Sequence, residues 1–132
     1  MQENERLELT YKVTEQDLAK ALPISAEDDF PAVLATSRMI ALMELAAARL
    51  MKSLLNDGEL SVGVKVDVTH MAATPNAEEV KAVSIYRGRE AKLYRFEVEL
   101  HDRGGLAGRG IHTRAIVSTE RLLQGAQDRV GS

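Results

Sequence analysis

Three polar side chains, Thr36, Glu44 and His70, stand where the surrounding sequence is otherwise apolar or regularly alternating. Thr36 follows a proline-containing loop, Glu44 lies inside a long apolar segment, and His70 ends a valine-rich strand. A carboxylate attacks carbonyls or activates water, an imidazole moves protons near neutral pH, and a hydroxyl orients a reacting group. These residue types are typical of a proton-dependent reaction, provided that the fold brings them together.

Glu44 is flanked on both sides by aliphatic residues in the segment MIALMELAAARLM. Burying an unpaired carboxylate is costly, so its position needs an explanation. Glu44 either occupies a narrow exposed stripe or pairs with Arg49 or another base, or it belongs to a functional site. The sequence alone leaves these interpretations open.

Thr36 lies at the junction between the loop and the apolar segment. From local sequence, the simplest role for its hydroxyl is to accept a backbone N–H as the N-cap of a helix. The same position lies beside the positive end of a helix, where a developing oxyanion or a bound carbonyl is stabilised. Local sequence does not separate the two roles.

His70 ends the strand in SVGVKVDVTHMAATP, residues 61 to 75. In a regular strand, the valines at even positions 62 to 68 and His70 share one face, so the imidazole points to the interior or a pocket. His70 is then either a core histidine or a proton carrier. His101, beside a turn, and His112, in a strand with Arg114, are weaker candidates, and no metal-ligand spacing occurs in the sequence.

Gly63 and Phe30 are unusual for their positions. Gly63 interrupts the valine strand, where glycine is destabilising unless a bulge or a closely approaching group needs the space. Phe30 lies in a loop beside a proline and is one of only two phenylalanines in the chain. It is either a hydrophobic plug for the core or a lid over a pocket.

The composition is that of one globular domain over residues 1–132, with a mass of 14.5 kDa and 45% hydrophobic residues. Its 17 basic and 20 acidic residues give a net charge of −3, so neither nucleic acid nor a membrane is an expected partner. The chain has no cysteine, which excludes disulfides, thiolate nucleophiles and cysteine-bound zinc. A cytoplasmic location is the expectation, since no signal peptide or membrane span is recognisable.

Hydrophobic periodicity predicts one long helix, a long loop before it, and five strands. The predicted helix spans 37–55, the loop 21–36, and the strands 6–13, 59–71, 77–87, 90–101 and 107–118, with a last helical turn after them. The short turns between the last four strands favour an antiparallel meander. This pattern predicts an α+β hot-dog fold, in which a curved antiparallel sheet wraps a long central helix, and the uncovered helix and strand edges favour a homodimer.

The motif FPAVLAT, the glutamate eight residues after Thr36, and VGVKVDVTHMAATP together resemble the hot-dog fluoroacetyl-CoA thioesterase family. The resemblance extends from about Phe30 to Val117. It implies that Thr36, Glu44 and His70 are the catalytic residues of an acyl-CoA thioesterase, and the leading hypothesis is hydrolysis of a short or medium acyl-CoA. It implies no cofactor and no metal.

The resemblance also implies three substrate-binding residues: Phe30 as the gate of the acyl pocket, Gly63, and Arg114 in the last-strand motif GIHTRAIV. The sequence differs from the family pattern just after Glu44 and before Phe30, so the acyl group stays open. Whether Glu44 is a nucleophile or a general base also stays open. The alternatives are a non-catalytic module that binds acyl-CoA or a related metabolite, and an acyl-CoA hydratase on the same fold.

Overall fold

A computed structural model describes residues 1–131 of the chain, and Ser132, the last residue of the predicted tail, lies outside them. The described chain contains five strands and two α-helices, as well as short 3-10 turns. The strands are β1 (Arg6–Lys12), β2 (Glu59–His70), β3 (Glu79–Glu90), β4 (Leu93–Asp102) and β5 (Gly105–Ser118). The α-helices are α1 (Thr36–Met51) and α2 (Thr119–Val130), and the 3-10 turns are Glu15–Asp17, Ala19–Ala21 and Lys52–Leu54.

The strands form a single antiparallel sheet in the order β1-β3-β4-β5-β2. The predicted meander of the last four strands is therefore wrong for β2, which pairs with β5 instead of β3. The segment 71–78 carries the chain from one side of the sheet to the other, and a bridge between Val33 and Pro75 ties it to the loop before α1. This crossover leaves β2 as an edge strand.

Helix α1 packs on the inner face of the sheet and supplies much of the hydrophobic core. Six of its residues are buried, namely Met39, Leu42, Met43, Ala46, Ala47 and Met51. They pack with strand residues that include Phe96, Val98 and Leu100. Burial of each large side chain contributes about 1.5–3 kcal/mol, so this face fixes the helix against the sheet. The helix is not covered all round, because Leu45 is 41% exposed.

The connection between β3 and β4 differs from the prediction. Arg87-Gly88-Arg89 was expected as the turn, but it lies within β3 as an irregularity in the pairing between Tyr86 and Arg89. Gly88 has a φ of 94°, which glycine adopts readily and which suits a bulge. The actual turn is at Ala91 and Lys92.

Strand β2 contains a second irregularity, where the pairing with β5 shifts between Gly63 and Lys65. Before the shift Gly63 faces the helix, and after it Val68 packs on the core. The expectation that the even-numbered residues from 62 to 70 all lie on one face is therefore wrong. The extra residue of the bulge exchanges the faces of the odd and even positions that follow it. Val64 and Val66 are 54% and 39% exposed in the single chain.

The C-terminal segment forms a full helix of 12 residues, which corrects the prediction of one helical turn. Ser118 caps its start, as its Oγ accepts the N–H of Arg121 at 3.3 Å. Gly131 ends it in the left-handed conformation. Among residues 1–131, no helix is both long and apolar enough to cross a membrane.

Candidate active site

Glu44 is paired with an arginine from the last strand of the sheet. Its Oε2 atom accepts a hydrogen bond from Arg114 Nη1 at 2.9 Å, so Arg114 and not Arg49 is the partner. The side chain of Glu44 is 37% exposed, whereas that of Arg114 is 7% exposed. Within residues 1–131 no hydrogen bond reaches Glu44 Oε1. The carboxylate therefore has one fixed oxygen and one that is accessible for chemistry.

Arg114 is itself oriented by Ser61 on the neighbouring strand β2. Its Nε atom donates to Ser61 Oγ at 3.0 Å, and its Nη2 atom donates to the Ser61 carbonyl at 3.0 Å. These two bonds leave Nη1 pointing at Glu44. A buried arginine with this many partners is a rigid donor, because its planar guanidinium cannot turn without breaking several hydrogen bonds at once.

His112 completes the group around Glu44, and its contacts define its tautomer. Its Nδ1 atom lies 2.8 Å from the carbonyl oxygen of Lys65, which can only accept, so Nδ1 carries the proton. Its Nε2 atom lies 3.1 Å from Arg114 Nη1, which can only donate, so Nε2 presents a lone pair. The ring is therefore neutral and is the second acceptor of Arg114 Nη1, beside Glu44 Oε2.

The pKa of His112 agrees with this assignment. Burial lowers the pKa of the ring below its ordinary value, the nearby charge of Arg114 lowers it further, and the Lys65 carbonyl and Glu44 oppose the shift only in part. The 3.9 Å approach of His112 Nε2 to Glu44 Oε2 is accordingly not an ion pair at neutral pH.

Gly63 makes room for the Glu44 carboxylate. A Cβ atom at position 63 would overlap Glu44 Oε2 and lie 3.3 Å from His112 Cε1. Gly63 also pairs directly with Arg114 across the β2–β5 ladder. The glycine in the valine strand is thus explained by a close approach of the carboxylate, so any side chain at this position would displace Glu44.

Thr36 and His70 form a second polar group at the N-terminal start of α1. Thr36 Oγ1 lies 2.8 Å from His70 Nδ1. The helix is capped by Ala35, whose carbonyl accepts the N–H of Met39 at 3.0 Å, so Thr36 is the first helical residue and the N-cap interpretation is wrong. Because its hydroxyl does not cap the helix, it is available to the imidazole.

An open pocket of about 380 Å³ lies beside Thr36 and His70. Its other walls are apolar and are formed by Ala19, Pro31, Val33, Leu34, Met71, Ala72 and Ala73. The His70 Nε2 atom is buried and has no hydrogen-bond partner within the described chain. A larger surface pocket of about 610 Å³ is lined by other residues with charges of both signs, and it shares no residue with either polar group.

A sequence profile of the fluoroacetyl-CoA-specific thioesterases matches residues 13–120. The chain belongs to this family. The fluoroacetyl-CoA thioesterase of Streptantibioticus cattleyicolor is 39% identical over 94 residues, which cover 71% of this chain and 68% of that protein. The predicted family and the predicted class of enzyme, a thioester hydrolase, are thereby confirmed.

Solved structures of the fluoroacetyl-CoA thioesterase FlK share the fold of this chain. One is 34% identical, has a TM-score of 0.90, and is matched over 100% of this chain and 98% of its own. A variant of FlK in complex with fluoroacetate and CoA is 34% identical with a TM-score of 0.87, over 92% and 99% of the chains. A Thermus thermophilus thioesterase-superfamily protein, 23% identical with a TM-score of 0.85 over 97% and 94%, shares the fold. The predicted hot-dog fold is confirmed.

Phe30, expected as the gate in this thioesterase family, lies in the loop before α1 and is 46% exposed. This exposure excludes the alternative role as a core plug. Pro31, the next residue, lines the pocket beside Thr36 and His70. The loop that carries Phe30 therefore forms part of the wall of that pocket.

The predicted site residues of this chain form two separate groups. Thr36 contacts His70, and Glu44 contacts Arg114. Both Thr36 and Glu44 lie in α1, where eight residues advance the helix by about 12 Å. Along the axis of α1, the two residues of one chain are therefore about two helical turns apart.

Sequence reasoning missed Ser61 and underrated His112. The available signal was parity, because His112 and Arg114 are two residues apart on one strand and must share a face. Ser61 and Gly63 have the same relationship on the paired strand. No three histidine, aspartate or glutamate side chains among residues 1–131 cluster so as to hold a metal ion.

Proposed function

We propose that this protein hydrolyses short or medium acyl-CoA thioesters to the free acid and CoA. The observation that carries the proposal is the Glu44 carboxylate, whose Oε2 is fixed by Arg114 at 2.9 Å while Oε1 is left without a partner in the described chain. A fixed carboxylate at the edge of an apolar interior suits attack on a carbonyl carbon or activation of water. Such substrates would place the activity in the cytoplasm.

Two routes use this geometry. In the first, Glu44 Oε1 attacks the thioester carbonyl, the C–S bond breaks, the CoA thiolate leaves and takes up a proton, and water then hydrolyses the glutamyl anhydride. In the second, Glu44 removes a proton from a water molecule that attacks the carbonyl directly, the C–S bond of the tetrahedral intermediate then breaks, and the CoA thiolate leaves and takes up a proton. Single turnover in ¹⁸O-labelled water separates them, since only the anhydride route can place the label in the Glu44 carboxylate.

Thr36 and His70 are proposed to act on the thioester from the start of α1. The 2.8 Å contact between the hydroxyl and His70 Nδ1 supports a role in orienting the carbonyl and carrying the proton to the leaving thiolate. The unpaired N–H groups of the first helical turn favour negative charge on the carbonyl oxygen. The other ring nitrogen of His70, Nε2, is buried and has no hydrogen-bond partner within the described chain. It is proposed to exchange protons alongside Nδ1.

A homodimer through the free edge of β2 is proposed to unite the two groups. The strand bonds β5 on one side only, and its outer edge exposes Leu60, Val64 and Val66. An unpaired edge with apolar side chains favours pairing with a second copy. Antiparallel pairing of two β2 strands runs the His70 end of one chain toward the Gly63 region of its partner. Thr36 and His70 then face Glu44 of the partner subunit.

The proposed substrate-binding residues divide into two kinds. Phe30, exposed on the loop that forms part of the pocket wall, is proposed to cover the acyl group. Gly63 and Arg114 are proposed to act on the substrate through Glu44, since one leaves space for the carboxylate and the other fixes it. The acyl group that reaches the carboxylate then passes close to both.

A panel of acyl-CoAs with detection of free thiol tests the proposed activity. Thiol release that saturates with a short or medium acyl-CoA is the expected result. A binding module would raise the melting temperature with the same acyl-CoAs and release no thiol. A hydratase would consume an enoyl-CoA and leave the thioester intact. Either of these two outcomes would reject the proposal.

A further inference from the structure

The first turn of α1 contains a cation where helices disfavour one. Arg38 is the third residue of the helix, and the helix dipole places partial positive charge at that end. No acidic residue lies in the first turn to compensate. The compensation comes from outside the helix, because Arg38 Nε donates to Asp17 Oδ1 at 2.7 Å.

Asp17 is a buried carboxylate with its hydrogen-bonding capacity largely used. Its Oδ2 atom accepts from Tyr11 Oη at 2.7 Å, from the N–H of Thr14 at 2.7 Å and from Thr14 Oγ1 at 2.9 Å. Only 4% of the residue is exposed. Arg38 completes the group by lying over the Tyr11 ring at 5.3 Å from its centroid. The cluster is rigid, because turning any one member breaks bonds to several others.

The ionised form of Asp17 is favoured in this cluster. Burial by itself would raise the pKa of the carboxyl group, but the hydrogen bonds from Thr14 and Tyr11 and the charge of Arg38 outweigh burial and hold the pKa below its ordinary value. Arg38 therefore faces a charged partner at neutral pH.

Asp17 also holds the backbone of the helix start. Its carbonyl oxygen accepts the N–H of Ala35 at 2.9 Å, and Ala35 is the cap residue directly before Thr36. Asp17 thus contacts the start of α1 at two points. Its carbonyl oxygen binds Ala35, just before Thr36, and its side chain binds Arg38, two residues after Thr36. Both contacts lie within one turn of the Thr36 hydroxyl, whose bond to His70 is 2.8 Å long.

We propose that Asp17 and Arg38 are positioning residues for catalysis, which set the start of α1 so that the Thr36 hydroxyl meets His70. The inference rests on the proposed function of Thr36 and His70. A helix start that slides or turns by about 1 Å misplaces a reacting group enough to lower turnover severely. The Asp17–Arg38 ion pair opposes such motion directly at this turn.

Three variants test the role by steady-state kinetics: Asp17→Asn, Arg38→Gln and Arg38→Lys. We expect the first two to lower kcat about tenfold with KM changed less than about twofold, because the pocket survives while the hydroxyl is misplaced. Arg38→Lys keeps the cation and recovers part of kcat. Arg87→Gln is the matched control, as it removes a 3.0 Å ion pair with Glu97 between β3 and β4, in which neither residue contacts Asp17, Arg38, Thr36 or His70, and it should leave kcat unchanged.

A double-mutant cycle with Thr36→Ala identifies the residue through which Asp17 acts. If Asp17 acts through Thr36, adding Asp17→Asn to Thr36→Ala lowers kcat by less than about twofold further. A further tenfold loss in that background would show general damage instead, and the proposal would be wrong. Melting temperatures measured on every variant confirm that each is folded at the assay temperature.

Imidazole ¹H–¹⁵N spectra give a readout that does not depend on turnover. In the wild type, His70 Nδ1 should show the shift of a hydrogen-bonded nitrogen, and Thr36→Ala defines the shift without that bond. Asp17→Asn is expected to move His70 toward the Thr36→Ala position, while Arg87→Gln leaves it in place. An unmoved His70 signal in Asp17→Asn would overturn the inference. If the wild type hydrolyses no acyl-CoA, the proposed function fails, and these spectra still decide whether Asp17 positions Thr36.

Discussion

Thr36 Oγ1 lies 2.8 Å from His70 Nδ1, although 34 positions separate the two residues in the chain. Thr36 is the first residue of α1 and His70 is the last residue of the edge strand β2, so their contact joins the start of the helix to the edge of the sheet. Glu44, two turns further along the helix, is held by Arg114 instead. The start and the middle of one helix thus hold two separate polar groups.

Replacing the proposed catalytic residues should lower turnover without unfolding the protein. Glu44→Ala and His70→Ala are expected to reduce kcat by about 10² or more, since loss of a nucleophile or proton carrier commonly costs that much. Thr36→Ala should cost less. Glu97→Gln, a surface carboxylate control, should leave kcat unchanged. Near-normal thiol release by the Glu44 and His70 variants would refute the catalytic assignment.

Mixed dimers should be more active than either parent variant. When Thr36→Ala and Glu44→Ala proteins are unfolded together and refolded, half of the dimers are mixed, and each mixed dimer holds one site with an intact Thr36 and an intact Glu44 of the partner subunit. We expect recovery of about a quarter of wild-type activity from this arithmetic. A site contained in one chain predicts no recovery at all.

Gly63→Ala should impair turnover through a single methyl group. The new Cβ would overlap Glu44 Oε2, so the carboxylate must leave its place beside Arg114, and we expect kcat to fall about tenfold or more. Gly125→Ala is the control, because nothing lies within 4 Å of a Cβ there. It should retain activity and stabilise α2 slightly. Equal kcat values for the two variants would contradict the proposed role of Gly63.

The stability of the protein should fall as the pH is lowered through the range in which histidine titrates. The ordinary pKa of the ring is 6.5, and burial lowers the pKa of His112 in the folded chain. Below pH 6.5 the unfolded chain therefore binds more protons than the folded one, so the free energy of unfolding decreases with decreasing pH. Melting temperatures between about pH 8 and pH 5 measure this slope.

His112→Asn should flatten that dependence, because the variant has no buried ring to protonate. His101→Asn is the matched control, since His101 is on the surface beside Glu99. Its slope should remain that of the wild type. An unchanged slope in His112→Asn would mean that His112 is not the group responsible.

Phe30→Ala should alter substrate preference more than stability. The ring is 46% exposed, so its removal avoids the 3 to 5 kcal/mol that truncation of a buried phenylalanine typically costs. We expect a changed ranking of acyl-CoAs, or a changed KM for the acyl part, at a nearly unchanged melting temperature. Leu123→Ala on α2, also an exposed apolar residue, is the control. An unchanged substrate ranking would exclude the gate.

Local patterns in the sequence predicted the secondary-structure elements and the residue types of the site. Apolar periodicity follows from which side of each element is buried, a local property, and it located the long helix and all five strands to within a few residues. The motifs around Thr36, Glu44 and His70 indicated the family. The predicted element boundaries were less accurate where the conformation of a single residue determines whether a strand continues. Gly88 is an example, because it has a positive φ within a bulge of β3 and not in a turn.

Which of these residues contact one another depends on the arrangement of the strands in the sheet. Arg114 contacts Glu44 across 70 positions of sequence, and His112 contacts the Lys65 carbonyl across 47. Both contacts depend on the placement of β2 beside β5, which the local pattern does not encode, because short turns favour neighbours in sequence. The bulge after Gly63 adds one residue and so exchanges the faces to which odd and even positions of β2 point. Gly63 and His70, one odd and one even, therefore both face inward. Strand order and the inward or outward direction of each side chain are set by the sheet as a whole. They determine that Thr36 contacts His70 while Glu44, on the same helix, contacts Arg114.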